Sequence, residues 1–181
     1  MSILDNIKRK LSDFSHNRRS KPQRSVKALN IKAAKSVGII YRADSAESFE
    51  LVKRYVKFLR EYKIKVRTIG FFNEKEIPCD VHPKLEFDFF CKKDLNFRLE
   101  PSCVVVDNFI DEQFDILIDL TVNKDEVLRH PVFLSKANFK VGAGGKSTSE
   151  DLDLLIKLKD EEGVRQLMKG IDQFLHLINT D

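Results

Sequence analysis

At 181 residues and 21.0 kDa, with 42% hydrophobic and 33% charged residues and only 7 Gly and 5 Pro, the chain reads as one ordinary folded domain; collagen-like, low-complexity and wholly disordered classes are excluded. No apolar stretch reaches the roughly 18 residues of a membrane span, and the N-terminus lacks the apolar core and small-residue cleavage site of a secretory signal, which predicts a cytoplasmic protein with no transmembrane segment. The net charge of +4 is unevenly spread: residues 1–36 hold ten Lys or Arg against Asp5 and Asp13, a balance of +8, and the rest of the chain carries −4.

In chain order, Ile3, Leu4, Ile7, Leu11 and Phe14 repeat at helical spacing with Lys8, Arg9, Lys10 and Asp13 between them, so residues 3–15 read as a short amphipathic helix. Residues 15–36 are rich in Arg, Ser, Asn and Lys, and read as an extended or mobile connector. The expected organisation is therefore a basic helix and arm over 1–36 followed by an α/β domain over 37–181. Val37 to Tyr41 is a β-branched run and reads as a buried strand. Asp44 or Ser45 then caps a helix over 46–62, whose stripe of Phe49, Val52, Val56 and Leu59 packs on a sheet. Lys65 to Phe72 is the next strand, and strand, helix, strand in so short a span is the unit of a parallel sheet.

Residues 73–85 read as a loop and Glu86 to Cys91 as a third strand. Leu95 to Ser102 fits no element, and Val104 to Ile110 fits a strand or a short helix equally well. Phe114 to Leu120 is the clearest strand, followed by a cap at Thr121 to Asn123 and a helix over 124–135 that Pro131 divides into two turns. Asn138 to Val141 reads as a strand, Gly142 to Gly145 as a turn, Leu152 to Leu158 as an edge strand and 161–178 as a closing helix. The fold expected is a single three-layer α/β domain with a mostly parallel, Rossmann-like sheet.

In such a sheet ligands sit beyond the carboxyl ends of the strands, where strand order reverses. The residues there are Arg42, Asp44 and Ser45 after the first strand and Asp119, Thr121, Asn123 and Lys124 after the fourth long strand, although helix caps require the same residue types. R-A-D-S after the first strand lacks the glycines of a dinucleotide turn, so no cofactor is expected. G-A-G-G-K-S-T at Gly142 to Thr148 ends like a phosphate-binding loop but has Lys140 where the leading glycine belongs. Cys79, Cys91 and Cys103 are spaced twelve apart, and Cys79, His82 and Cys91 lack a fourth ligand, so thiols and no metal are expected. No hydrolase, zincin or Cys-His signature is present, and no catalytic residue is assigned.

The run from Ala34 to Phe58, together with F-D-I-L-I-D-L (Phe114 to Leu120), L-S-K-A-N-F-K-V-G (Leu134 to Gly142) and I-D-Q-F-L-H-L-I-N (Ile171 to Asn179), resembles an uncharacterised family of short bacterial α/β proteins of unknown function. The resemblance implies a cytoplasmic α/β protein and carries over no functional residue. Phe114 to Gly142 is also similar to the strand-helix-strand of one lobe of heptosyltransferase-like glycosyltransferases, which need two such lobes. From these readings the leading expectation is a non-enzymatic binding or accessory protein. Its basic segment (Lys8, Arg9, Lys10, Arg18, Arg19, Lys21, Arg24 and Lys27) would contact RNA, with the ribosome as a natural partner. Two alternatives stand beside it. One is a small enzyme or binding domain for a phosphorylated or nucleotide-sugar ligand, using Asp44, Ser45, Asp119, Thr121, Asn123 and Lys124; the other is a peripheral adaptor on a protein partner or an anionic membrane surface, held by the first helix.

Overall fold

A strand with no polar residue between its ends must be covered on both faces, and Ser36–Arg42 (β1, SVGIIYR) is such a strand: Val37 to Tyr41 are all buried. The computed structural model describes residues 22–145, 151–159 and 162–179. After β1 come α1 (Ala46–Glu61), β2 (Lys65–Phe72), β3 (Phe87–Cys91), α2 (Val104–Asp111), β4 (Ile116–Asp119), α3 (Glu126–Leu134), β5 (Phe139–Gly144), β6 (Leu154–Lys157) and α4 (Val164–Leu177). The strands form one sheet in the order β3-β2-β1-β4-β5-β6, every neighbouring pair parallel. This is the order of a doubly wound fold.

Side chains alternate across the sheet and feed two cores. Val37, Ile39 and Tyr41 of β1 face Val52, Val56 and Leu59 of α1 and Leu167, Ile171 and Leu175 of α4. Ile40 of β1, with Ile69 and Phe71 of β2, faces Val106 and Phe109 of α2 and Leu128 and Val132 of α3. The sides follow from right-handed crossovers: the chain moves outward from β1 to β3 under α1, then reverses and runs from β4 outward under α2 and α3. Two crossovers show no helix among the described residues. Between β2 and β3 the loop packs Ile77 and Val81 on the α1 side, and before β6 Leu152 packs on the α3 side.

Several sequence expectations need correction. The ambiguous Val104 to Ile110 is helix, because Val106 and Phe109 three residues apart point into the core while Val104 faces water. Helix α3 starts at Glu126 with Asp125 as its cap, accepting from the N–H groups of Val127 (2.9 Å) and Leu128 (3.1 Å), so Thr121 to Asn123 do not cap it. Pro131 does not divide it: Leu128, Val132 and Phe133 anchor it by burial, and Lys140 on β5 donates through Nζ to the carbonyls of Val132 (2.6 Å) and Phe133 (3.1 Å). Gly142 to Gly144 are strand, not turn. A Cβ on Gly142 would sit 3.0 Å from the Asp119 carbonyl and 2.9 Å from Leu152 Cδ1, so glycine here serves close packing of β5 on β4.

In the described part of the connector, residues 22–30 form neither helix nor strand, Ile31–Ala33 make one 3-10 turn, and the segment is tied down. Arg24 grips Asp153 with both terminal nitrogens at 2.6 Å, Lys27 N–H donates to the Asn138 carbonyl (3.1 Å), Ile31 is fully buried, and Asn30 caps α4 by donating to the carbonyls of His176 (3.0 Å) and Ile178 (2.8 Å). The amphipathic helix expected over 3–15, and Lys8, Arg9, Lys10, Arg18, Arg19 and Lys21, lie outside the described residues.

Gly38 and Arg24 are the points at which this packing is most open to test. A Cβ on Gly38 would lie 2.7 Å from Phe114 Cδ2, inside the second core, so Gly38→Ala should cost about 1–3 kcal/mol in urea unfolding, and Phe114→Leu should recover part of it. Arg24→Ala should leave the domain folded and speed tryptic cleavage at Lys27 and Lys32 severalfold, by removing the bidentate clamp to Asp153.

Candidate functional site

The strand order reverses between β1 and β4, so their carboxyl ends define the place where a fold of this type holds a ligand. Arg42 closes β1, and its side chain reaches two carboxylates: Nη1 pairs with Asp125 at the start of α3, and Nε donates to Asp44 at 2.8 Å. Asp44 is held on its other oxygen by the N–H of Asn73 (2.8 Å), which ties the ends of β1 and β2 together. Ser45 is the N-cap of α1, accepting from Ser48 N–H at 3.1 Å. Asn123 and Lys124 stand exposed on the turn before α3, with Lys124 paired to Glu126. Of the six expected ligand residues, Asp119 and Thr121 are together and buried, Asp44 and Ser45 are used by the neighbouring backbone, and Asn123 and Lys124 face water.

Asp119 ends β4 only 4% exposed; its Oδ1 accepts the Thr121 N–H at 2.9 Å. Burial pushes its carboxyl up to about 6; the Thr121 side chain and N–H work the other way, and the Asp125 charge adds to the rise. The Thr121 hydroxyl is buried beside that carboxyl, near enough to favour its charged form but in no hydrogen bond of good geometry among the described residues. These two line a crevice of about 10 Å³ with Asp125, Arg129, Val132, Asp151 and Leu152. That volume is about one water molecule. Arg129 Nε donates to Asp151 at 2.8 Å across it, with the aspartate side chain 3% exposed.

The missed members of this cluster are Asp125, Arg129 and Asp151. Asp125 could have been found, because D-E-V-L is a stronger helix start than T-V-N. Arg129 and Asp151 come together only through the packing of α3 on β5 and have no local signal. Gly145 ends the described part of the glycine-rich segment, and Lys146 to Thr148 lie outside it. The three cysteines are free thiols, Cys91 buried and Cys79 exposed, and no group of three potential ligands gathers among the described residues.

A second depression, open and about 560 Å³, lies where α1 and α4 end side by side, lined by Phe58, Tyr62, Asp172, Gln173, His176 and Leu177. No helix among the described residues is long and apolar enough to cross a membrane.

Removing Asp119's charge tests the electrostatics. Its carboxyl binds a proton more tightly folded than unfolded, so the aspartate costs stability as pH rises from about 4 to 6, by up to about 3 kcal/mol. Asp119→Asn, whose carbonyl still accepts from Thr121, should flatten that pH dependence and raise the melting temperature at pH 7.5; equal pH profiles for the two proteins would contradict this.

The chain matches the family of unknown function DUF6913 over residues 5–178 and belongs to that family. No curated protein and no solved structure matches it.

Proposed function

We propose that this member of a family of unknown function is a non-enzymatic binding or accessory protein of the bacterial cytoplasm, whose basic N-terminal segment contacts RNA, with the ribosome as the first place to look. The observation that carries the reading is the partition of charge. Residues 1–21 hold six Lys or Arg against two acids, which is +4 and equals the net charge of the whole chain, so residues 22–181 are neutral. Arg24, the next cation along, is already neutralised by Asp153. Ahead of it in the sequence stand Lys8, Arg9, Lys10, Arg18, Arg19 and Lys21, with Lys27 beyond the clamp. The filled carboxyl edge supports the same reading, since a crevice of about 10 Å³ has no room for a nucleotide or sugar.

A second reading, a ligand site at that edge, is favoured by the raised carboxyl of Asp119 and the buried Thr121 hydroxyl, which makes no hydrogen bond of good geometry among the described residues. It requires Arg42 to leave Asp125 before a phosphorylated ligand could enter.

The deciding experiment is binding of the full-length protein to a labelled single-stranded RNA across salt concentrations. Affinity should fall steeply with salt, and Arg18→Ala, Arg19→Ala and Lys21→Ala combined should weaken binding and make the slope shallower by about 2, at roughly 0.7 per phosphate contact. Binding that ignores both salt and these substitutions rules the arm out. A melting-temperature rise with nucleotide-sugars, unaffected by the arm substitutions, would favour the second reading.

A further inference from the structure

After β3 the chain makes a loop with an unusual division of its charges. Lys92, Lys93 and Arg98 are exposed and form no ion pair among the described residues. The acids of the same stretch turn inward: Asp94 accepts from the Cys91 N–H (2.8 Å), and Glu100, 4% exposed, accepts from Asn96 Nδ2 (3.1 Å). Between the cations stands Phe97, 67% exposed, with the Arg98 guanidinium 4.9 Å from its ring centre.

The loop is built to hold that ring out. Asn96 Oδ1 accepts from the N–H groups of Arg98 (2.8 Å) and Glu100 (3.1 Å), Asn96 N–H donates to the Glu100 carbonyl (2.9 Å), and Ser102 N–H donates to the Asp94 carbonyl (2.8 Å). Leu99 is held at φ 62°, a left-handed conformation that costs a non-glycine residue energy. A large apolar ring on a strained, hydrogen-bonded loop, beside the Arg98 guanidinium and on the same loop as Lys92 and Lys93, has the composition of a base-stacking platform: the ring takes the flat face of a base and the cations take the phosphates beside it.

From this geometry we infer that Phe97, with Lys92, Lys93 and Arg98, is a second RNA contact, specific for single strands because only an unstacked base can lie on the ring. The inference rests on the RNA reading above and adds the kind of RNA. The loop lies at the carboxyl end of β3, whereas Arg24 anchors the arm at the amino ends of β5 and β6. Four strand spacings and one strand length put these corners roughly 25–30 Å apart. A single strand of about ten nucleotides, within the usual range of such sites, serves both.

The experiment compares the full-length protein with Phe97→Ala, Phe97→Tyr, the triple Lys92→Ala/Lys93→Ala/Arg98→Ala, and the arm triple Arg18→Ala/Arg19→Ala/Lys21→Ala. The probes are a labelled oligouridine of about 12 nucleotides and a blunt RNA duplex of the same length. Phe97→Ala should weaken oligouridine binding roughly 5- to 100-fold and leave duplex binding unchanged; Phe97→Tyr should bind like the wild type. The loop triple should weaken oligouridine binding and reduce its salt slope. If Phe97→Ala binds oligouridine as the wild type does while the arm triple fails to, the loop proposal is overturned and the arm reading survives. Equal losses on both RNAs overturn the stacking role. If the wild type binds neither RNA, both readings fall, and a protein crosslinked through position 97 would then identify the loop as a protein contact.

Discussion

An all-parallel sheet has no face it can leave to water, and most of this molecule follows from that. With β1 buried on both sides, each parallel crossover must lay its connection over one face or the other. Direction of travel then decides which face: α1 covers the way out to β2, and α2 and α3 cover the way back through β4 to β5. Only α4, following the edge strand β6, returns to the α1 side, where Leu167, Ile171 and Leu175 complete the core that α1 leaves open. The connector before β1 completes the seal at the amino edge, inserting Ile31 beneath α4 and capping that helix with Asn30.

The same topology gathers every strand's carboxyl end at one edge, and there the chain spends its polar groups on itself. Where a nucleotide-binding protein of this architecture presents glycines and free helix N–H groups, this chain presents Arg42, and Asp125 already occupies the N–H groups of α3. The Asp125 carboxylate thus takes the place a phosphate would hold at the helix end, and Arg42 pairs with it. The second pair, Arg129 with Asp151, fixes the following segment over the crevice. Partly buried pairs of this kind gain little net stability against apolar packing. Their structural effect is to hold the edge closed in one arrangement, with Asp119 buried behind them and bonded to the Thr121 N–H.

Much of the fold is legible in the sequence because hydrophobic period reports burial directly. Lys65 to Phe72 coincides with β2, and the stripe Phe49, Val52, Val56, Leu59 locates α1 and the face it buries. Strands β3 and β4 and the edge strand β6 lie within two residues of their expected bounds. The failures have separate physical origins. Gly142 and Gly144 carry turn signals locally, but in β5 they are small so that β4 and the chain around Leu152 and Leu155 can approach, a tertiary requirement invisible in a window of seven residues. Val104 to Asp111 has strand composition and helix geometry, the outcome being set by which two residues reach the core. At the candidate site, Asp119 and Thr121 are readable because they follow a clear strand, whereas the ion pairs that close the crevice join residues 83 and 22 positions apart. The Phe97 loop gives no periodic signal at all, since side-chain bonds from Asn96 shape it.

Charge is partitioned as sharply as burial. Residues 22–181 are neutral overall, so the domain exerts little long-range field and only local groupings can attract a charged partner. At physiological salt, charges more than about 8 Å apart are largely screened. Arg24, at the amino ends of β5 and β6, and the cations of the Phe97 loop, at the carboxyl end of β3, stand roughly 25–30 Å apart and therefore do not reinforce one another electrostatically. Any cooperation between them must come through a partner long enough to touch both, in which case the first contact raises the effective concentration of the second. The sheet fixes that distance, because each of its strands is hydrogen-bonded to its neighbours from β3 across to β6.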